Sequence, residues 1–380
     1  MKALKTTLKW IFMSVVFVLV LIATVAVGFL KISPQFGGEL SDSQIGVFEK
    51  LDHYVDGIFI NAEPFSIKTD CHSIVEMLKE TVADHPNVQP AKNVEVRKFD
   101  VTQIQKNIGN KARVTWLGHS SFLIEMEGKT ILIDPVFSDY AAPHELLGRK
   151  RFNAEMSFNI ADLAEIDAVI ISHDHYDHLD YVTIDKIKDK VKNVIVPLGV
   201  GNHFIAWGVS AAIIQEMDWW EETKLGDLKI AFTPSRHASG RGLSDQSATL
   251  WGSWCLLGSN QKIFFSGDGG YGVHFKKIGE KYGPFDFGMM ECGQYNEMWA
   301  GMHMMPEETV QAGLDVQAKS FMPIHWGAFT LANHSWTDPV ERFKKKAAEL
   351  EATISTPEIG ESILIKSSTY PTTDWWTKFD

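Results

Sequence analysis

Cysteine is scarce in this sequence. Cys71, Cys255 and Cys292 are the only three in 380 residues, odd in number and widely spaced, so no disulfide framework and no cysteine metal site follows from them. Basic charge is short as well. Lys and Arg number 36 against 48 Asp and Glu, a formal net charge of −12, which argues against a dedicated nucleic-acid binder because that role needs a basic face. There is no short internal repeat or low-complexity tract, and beyond residue 30 no second apolar run long enough to span a bilayer. Hydrophobic residues nevertheless make up 45% of the chain, enough for a substantial core in one large or two modest domains.

The one long apolar run is Trp10–Leu30, WIFMSVVFVLVLIATVAVGFL. As a helix it would span about 30 Å, the thickness of a bilayer core. Lys2, Lys5 and Lys9 precede it and Lys31 follows, so the positive-inside bias places residues 1–9 in the cytoplasm and the rest of the chain outside. A cleaved signal peptide is the competing reading; its apolar part is usually shorter, about 7–15 residues, and no good cleavage site is visible.

Ser172–Asp180, SHDHYDHLD, is the densest chemical signal. It follows IDAVII, a short β-branched run that reads as a buried strand. His173 and His175, two apart on extended backbone, point the same way and can share one metal. Asp177 and His178 fall in the turn beyond and can face a second. A polar loop with incidental histidines is the plainer alternative.

Residues 31–110 read as an approach segment with a helix at His72–Ala83. From Arg113 the pattern changes. RVTWLG, SFLIEME and TILIDP read as strands separated by GHS and GK turns, followed by alternating strands (IDAVIIS, NVIVP) and helices near Tyr181–Lys190 and Val200–Trp207. A second series repeats the outline: LKIAFTP, SATLWGSWCLL, KIFFSGD, FDFGMM and SFMPIHW as strands, with a helix at Pro306–Ala318 whose Pro306, Glu307 and Glu308 suit a helix start. Two strand-rich halves carrying helices predict an α+β or α/β fold, a four-layer αββα sandwich, behind a single N-terminal transmembrane helix. In the second half His237, Asp268 and His325 each sit just past an apolar run, as His173 does. Each alone could be a turn or capping residue.

His173, His175, Asp177 and His178 with His237, Asp268 and His325 resemble the metal-binding set of the metallo-β-lactamase superfamily, over about Arg113 to Ile365. A closer resemblance is to the N-acylphosphatidylethanolamine-hydrolysing phospholipase D group, carried by TWLGHSSFLIEMEG, ILIDPVFS, LWGSW, FKKIGEKYGPFD, MPEETVQAGLDVQAKS and IHWGAFTLAN, about 250 residues in all. The sequence departs from that group at Gly269 in GDGGY, where threonine is more usual, and at Glu291 and Cys292 in MMECGQYN.

The resemblance implies two divalent ions, zinc by family habit. His173, His175 and His237 would hold one, Asp177, His178 and His325 the other, with Asp268 bridging. Two ions, two carboxylates and a bridging hydroxide leave a residual charge of about +1, suited to an anionic phosphodiester. The implied activity is a phospholipase D-like phosphodiesterase on membrane lipid, with Asp268, Asp177 and His303 as catalytic candidates and no nucleic-acid partner. Arg241, Tyr271, Tyr295 and Met302 are candidate substrate residues, and Met289–Met305 a candidate apolar wall. Asp134 is a candidate partner for a ligand histidine, equally a turn aspartate. Trp219–Trp220 and Trp375–Trp376 could sit at a lipid interface or simply be buried. The expected domains are a tail (1–9), anchor (10–30), extension (31–110), catalytic domain (111–368) and C-terminal tail (369–380). Site chemistry alone would equally serve a soluble ester, lactone or nucleotide phosphodiester. A non-catalytic metal-binding envelope protein is a third reading, disfavoured because structural zinc needs only four ligands.

Overall fold

The computed structural model describes residues 2–65, 75, 79–80, 83, 85–106 and 108–380. The expected helix at His72–Ala83 lies largely outside the described residues.

The chain starts with helix Lys2–Ile32, within which Leu4–Ile32 is long and apolar enough to cross a membrane. A short helix Asp42–Phe48 and a small hairpin, β1 (Tyr54–Val55) and β2 (Ile58–Phe59), follow. The first large sheet uses β3 (Arg113–Trp116), β4 (Phe122–Met126), β5 (Lys129–Ile133), β6 (Ala168–Ile170), β7 (Val194–Pro197) and β8 (Ile214–Met217). The second uses β9 (Glu222–Leu225), β10 (Leu228–Thr233), β11 (Ser253–Leu257), β12 (Lys262–Phe265), β13 (Phe287–Glu291) and β14 (Phe321–Ile324); the last strand, β15 (Ser362–Leu364), returns to the first sheet. The orders are β15-β3-β4-β5-β6-β7-β8 and β14-β13-β12-β11-β10-β9.

Side chains alternate across each strand, so one face of each sheet meets the other sheet while the second face meets helices. Between the sheets lie Phe122, Ile124, Ile131, Ile133 and Ile170 from one, and Ile230, Phe232, Trp254, Phe265 and Met322 from the other. Leu132, Val169 and Val196 point outward onto Ile184, Ile187 and Phe204, from helices Tyr181–Ile187 and Gly201–Ala206. On the far side Phe264, Met290 and Phe321 meet Phe275, Ile278, Val310 and Phe343, from helices His274–Tyr282, Pro306–Asp315 and Asp338–Glu349. This is the four-layer αββα arrangement read from the sequence.

Helices His274–Tyr282 and Asp338–Glu349 and the short edge strands β8, β9 and β15 were not legible in that reading. The strand expected at SATLWGSWCLL shrinks to Ser253–Leu257, because the β10 ladder ends at the Thr233–Ser253 pair and Gly252 N–H donates to the Ser172 carbonyl at 3.1 Å instead. The expected C-terminal tail is no free tail. Trp375 and Trp376 are buried in the inter-sheet core, which removes them as lipid-interface residues, while Trp219 and Trp220 stay half-buried. Of the described residues of the 31–110 extension, Phe48, Tyr54, Phe59 and Val94 lie in the same core.

β5 and β6 run parallel in the first sheet, and β12, β13 and β14 run parallel in the second. β10 shares the direction of β12, both being antiparallel to β11. Their C-terminal ends deliver Asp134, His173, His237, Asp268, Glu291 and His325 to one rim. The Gly118–Ser121 turn after β3 reaches the same rim.

Candidate metal centre

Along that rim the ligand-type atoms fall into overlapping groups: His173, His175 and His237; His119, Asp177, His178 and His325; and His173, His178 and Asp268. Within each group they lie within 4.8 Å of one another. All seven residues read as ligands from the sequence are thus brought together.

Hydrogen bonds set which ring nitrogen faces inward. His173 Nδ1 lies 3.0 Å from Ser172 Oγ, and Ser172 Oγ donates to Asp134 Oδ2 at 2.5 Å. His178 Nδ1–H donates to the same carboxylate oxygen at 2.7 Å. His237 Nδ1–H donates to the Met302 carbonyl at 3.1 Å. In each case Nε2 is the ring atom aimed at the centre, as a lone pair on His173 and His237 and, on His178, as the nitrogen whose proton an ion would displace. His173 Nε2 and His237 Nε2 stand 3.0 and 3.2 Å from His175 Nδ1. One shared proton satisfies one such pair, not three converging nitrogens; a cation satisfies all three. His178 Nε2 and Asp268 Oδ1 are buried without a hydrogen-bond partner. Asp268 Oδ2 lies 3.0 Å from His178 Nε2 and 3.9 Å from His173 Nε2, so it reaches both groups. The donor set fits divalent ions with a preference for nitrogen and oxygen.

Electrostatics agree with that fit. Burial holds His173, His237 and His325 well below the usual imidazole range, as neutral rings ready to ligate. Burial pushes Asp268 up to about 6. His178 goes the other way: burial opposes its charge, but Asp268, Asp177 and Asp134 outweigh it and hold it well above the usual range. A proton on His178 therefore does part of what a cation would do.

Three of these positions are held against backbone preference. His119, Asp134 and His325 have φ of +53°, +42° and +68°, left-handed values uncommon for non-glycine residues and concentrated at functional sites. Gly270 lets two site loops touch, since a Cβ there would lie 2.2 Å from the Gly301 carbonyl.

Two groups escaped the sequence reading. His119 stood there only as part of a GHS turn. Its Nε2–H donates to Asp177 Oδ2 at 2.9 Å, and burial drives its pKa down to about 4 even against Asp177. Glu291 was singled out without a role. It is fully buried, sits 3.2 Å from His303 Nδ1 and accepts from Met304 N–H at 2.9 Å. His303 lies beside the cluster, its ring 5.0 Å from His237 and 5.3 Å from His325.

The expected substrate residues are placed differently. Tyr271 donates its hydroxyl to Asp315 at 2.5 Å, on the outer helix. Tyr295 donates to Asp338 and stacks on His334. Neither hydroxyl is free for a substrate. Arg241 is buried, its Nη1 donating to the carbonyls of Asp174 and Leu179 at 2.5 and 2.8 Å and its Nε to Gln35 at 2.8 Å. It braces the back of the metal loop. Met304 is fully buried in the outer core, whereas Met302 is half-buried and meets the site through its carbonyl. The apolar wall therefore loses Met304, along with the buried Met289 and Met290.

Residues 129–326 match the family described as Beta-lactamase superfamily domain. An uncharacterised protein of Mycobacterium tuberculosis is 38% identical over 83% of this chain and 85% of its own length. N-acyl-phosphatidylethanolamine-hydrolyzing phospholipase D 1 of Caenorhabditis elegans is 34% identical over 61% of this chain and 68% of its own. Among solved structures, Igni18, a metallo hydrolase from Ignicoccus hospitalis, shares the fold with a TM-score of 0.51 at 20% identity, over 68% of this chain and 100% of that one. The chain belongs to the metallo-β-lactamase superfamily of metal-dependent hydrolases, alongside the N-acylphosphatidylethanolamine-hydrolysing phospholipase D proteins.

Proposed function

We propose that this chain is a membrane-anchored, dinuclear-metal phosphodiesterase of phospholipase D type, acting on N-acylphosphatidylethanolamine-like lipids. The observation that carries the reading is the division of the cluster into two ligand groups joined through Asp268. His173, His175 and His237 would hold one ion and Asp177, His178 and His325 the other, with Asp268 shared. Zinc suits this mixture of imidazole and carboxylate.

Divalent ions held there would supply an acidified water near neutral pH and positive charge toward phosphoryl oxygens. The chain's own residues then orient and move protons. Asp134, Ser172 and the Met302 carbonyl hold three histidines in ligating tautomers. His119 fixes the Asp177 carboxylate. His303, kept below its usual pKa chiefly by burial, has Nδ1 engaged by Glu291, which leaves Nε2 to accept the proton given up by the attacking water and pass it to the departing alcohol.

Within the apolar helix Leu4–Ile32 the uncharged run Trp10–Leu30 would cross the bilayer, with Lys2, Lys5 and Lys9 before it on the cytoplasmic side and the catalytic domain outside. The anchor keeps that domain near its substrate, where a lipid is met at high effective concentration. The curated C. elegans relative's name supports the same substrate class.

The test is a screen of purified full-length protein against N-acylphosphatidylethanolamine vesicles, bis(p-nitrophenyl) phosphate and lactones, with metal analysis of the same sample. The expected products are phosphatidic acid and N-acylethanolamine. Cleavage of a lactone or nucleotide with no phospholipid turned over would leave the superfamily assignment and remove the lipid.

A further inference from the structure

The foot of the N-terminal helix is clamped onto the catalytic domain. Phe29 packs edge-on against Phe36 and His144, with centroids 5.4 and 6.1 Å away, and Phe36 packs edge-on against Tyr176 at 6.5 Å. Trp207 Nε1–H donates to the Pro34 carbonyl at 2.6 Å, Arg241 Nε–H to the Gln35 carbonyl at 2.8 Å, and Gly38 N–H to His203 Nδ1 at 3.1 Å. Arg241 and His203 also grip the metal loop: Arg241 through the carbonyls of Asp174 and Leu179, His203 through Nε2–H to Asp174 Oδ2 at 3.2 Å. One set of side chains therefore ties the helix exit to the loop that carries His173–His178.

Around this clamp the surface is unusual. Leu146 and Leu147, just past His144, are 84% and 65% exposed, and Leu243, two residues past Arg241, is 84% exposed. Arg149 and Lys150 follow the leucine pair, Lys31 lies in the last turn of the helix, and all three are exposed. Large bare leucines with adjacent cations, in a chain of net charge −12, are what a protein places at a lipid surface: apolar tips among the acyl chains, cations at the phosphates. The helix fixes the level. Residues 4–27 are exposed and need acyl chains around the apolar ones, whereas residues 28–30 are half-buried against the domain. The headgroup layer then falls at Phe29–Ile32, beside the His144 and Arg241 loops. A cavity of about 260 Å³ lies behind this rim, lined among others by Gln35, Tyr140, His144, Tyr176, Asp180 and Arg241.

We infer that Leu146, Leu147 and Leu243, with Lys31, Arg149 and Lys150, form a rim that inserts into the headgroup layer of a phospholipid bilayer and seats the catalytic domain on it in one orientation. The inference rests on the reading of Leu4–Ile32 as a membrane span.

The test uses the full chain, with Cys71 replaced by serine, reconstituted in vesicles of phosphatidylcholine and phosphatidylglycerol. One added cysteine at a time, at position 146, 147 or 243, carries a polarity-sensitive fluorophore, quenched by spin-labelled lipid; the native Cys255 and Cys292 are buried. Position 350, at the end of the outer helix Asp338–Glu349, is the aqueous control and position 20 the membrane control. Rim labels should be blue-shifted and quenched several-fold more than position 350. Rim labels no more quenched than position 350, with position 20 quenched, would overturn the rim and leave the anchor standing. An unquenched position 20 would overturn the anchor and the rim together. A Leu146→Ser, Leu147→Ser, Leu243→Ser triple variant should lower turnover of vesicle phospholipid several-fold and leave bis(p-nitrophenyl) phosphate hydrolysis unchanged. Equal loss on both would also contradict the rim.

Discussion

Asp134 and His178, forty-four residues apart in sequence, share a buried hydrogen bond of 2.7 Å from His178 Nδ1–H to Asp134 Oδ2. That bond turns His178 Nε2 toward Asp268 and makes a strand-end aspartate part of the metal centre. Carboxylates behind ligand histidines are typically worth 10- to 100-fold in metal affinity. Asp134→Ala should therefore weaken uptake at the His178 site by about that factor, and less at the site built on His173, His175 and His237, which Asp134 reaches only through Ser172, read as metal per chain after dialysis against graded chelator. Equal retention at both sites would show that the bond does not support ligation.

His303 and His237 neighbour one another yet should fail differently. His237→Ala should lose bound metal, whereas His303→Gln should keep the full complement and lose roughly 100- to 10,000-fold in turnover, the range for a positioned proton-transfer group. Metal analysis and kinetics on the same preparations separate the two. Unchanged turnover in His303→Gln would remove His303 from the chemistry.

Metal uptake should be coupled to protons. In the metal-free protein burial raises Asp268 to about 6, so this carboxylate is increasingly protonated as pH falls through that value and an ion must displace its proton. His178, held well above the usual imidazole range by three carboxylates, keeps a proton near neutral pH that an ion also displaces. Affinity should therefore rise with pH, with a step near 6 missing in Asp268→Asn. Calorimetry in buffers of different ionisation enthalpy measures the released protons; none released near neutrality would contradict the assignment.

Met302 and Met304 make the reverse comparison. Met304 is fully buried among Phe264, Phe275 and Phe343, so Met304→Ser should cost roughly 2–5 kcal/mol of stability and lower activity on every substrate alike. Met302→Ser should change stability little. Urea denaturation of both variants decides; equal stability would mean that the core is misread.

The seven ligand-type residues were legible because each follows an apolar strand, and strand ends in a two-sheet sandwich gather at a common rim. The layers were legible for the same reason, through short β-branched runs. What the sequence concealed depends on partners far along the chain. Arg241 looks like a phosphate clamp until Gln35 takes its Nε donor and Asp174 and Leu179 its Nη1 donors, at the back of the metal loop. Tyr271 and Tyr295 look available until Asp315 and Asp338 accept their hydroxyls. His119 shows only as a turn until Asp177, 58 residues later, lies against it. The outer helices His274–Tyr282 and Asp338–Glu349 were hidden because each buries only a narrow stripe, such as Phe275, Ile278 and Tyr282.

The lysine asymmetry around the N-terminal helix has its own readout. A membrane-impermeant thiol reagent applied to intact cells should label a cysteine placed at position 350, at the exposed end of helix Asp338–Glu349, and the labelled chain should stay with the membranes. Full protection until lysis would place the catalytic domain inside.

The most direct measurement is hydrolysis of N-acylphosphatidylethanolamine vesicles in ¹⁸O-labelled water, with mass analysis of both products. Attack at phosphorus puts the label in the phosphate group of phosphatidic acid and none in N-acylethanolamine, and the reaction stops when metal is chelated and resumes with zinc. Label in a released fatty acid, or undiminished turnover in metal-free protein, would contradict a metal-dependent phosphodiesterase.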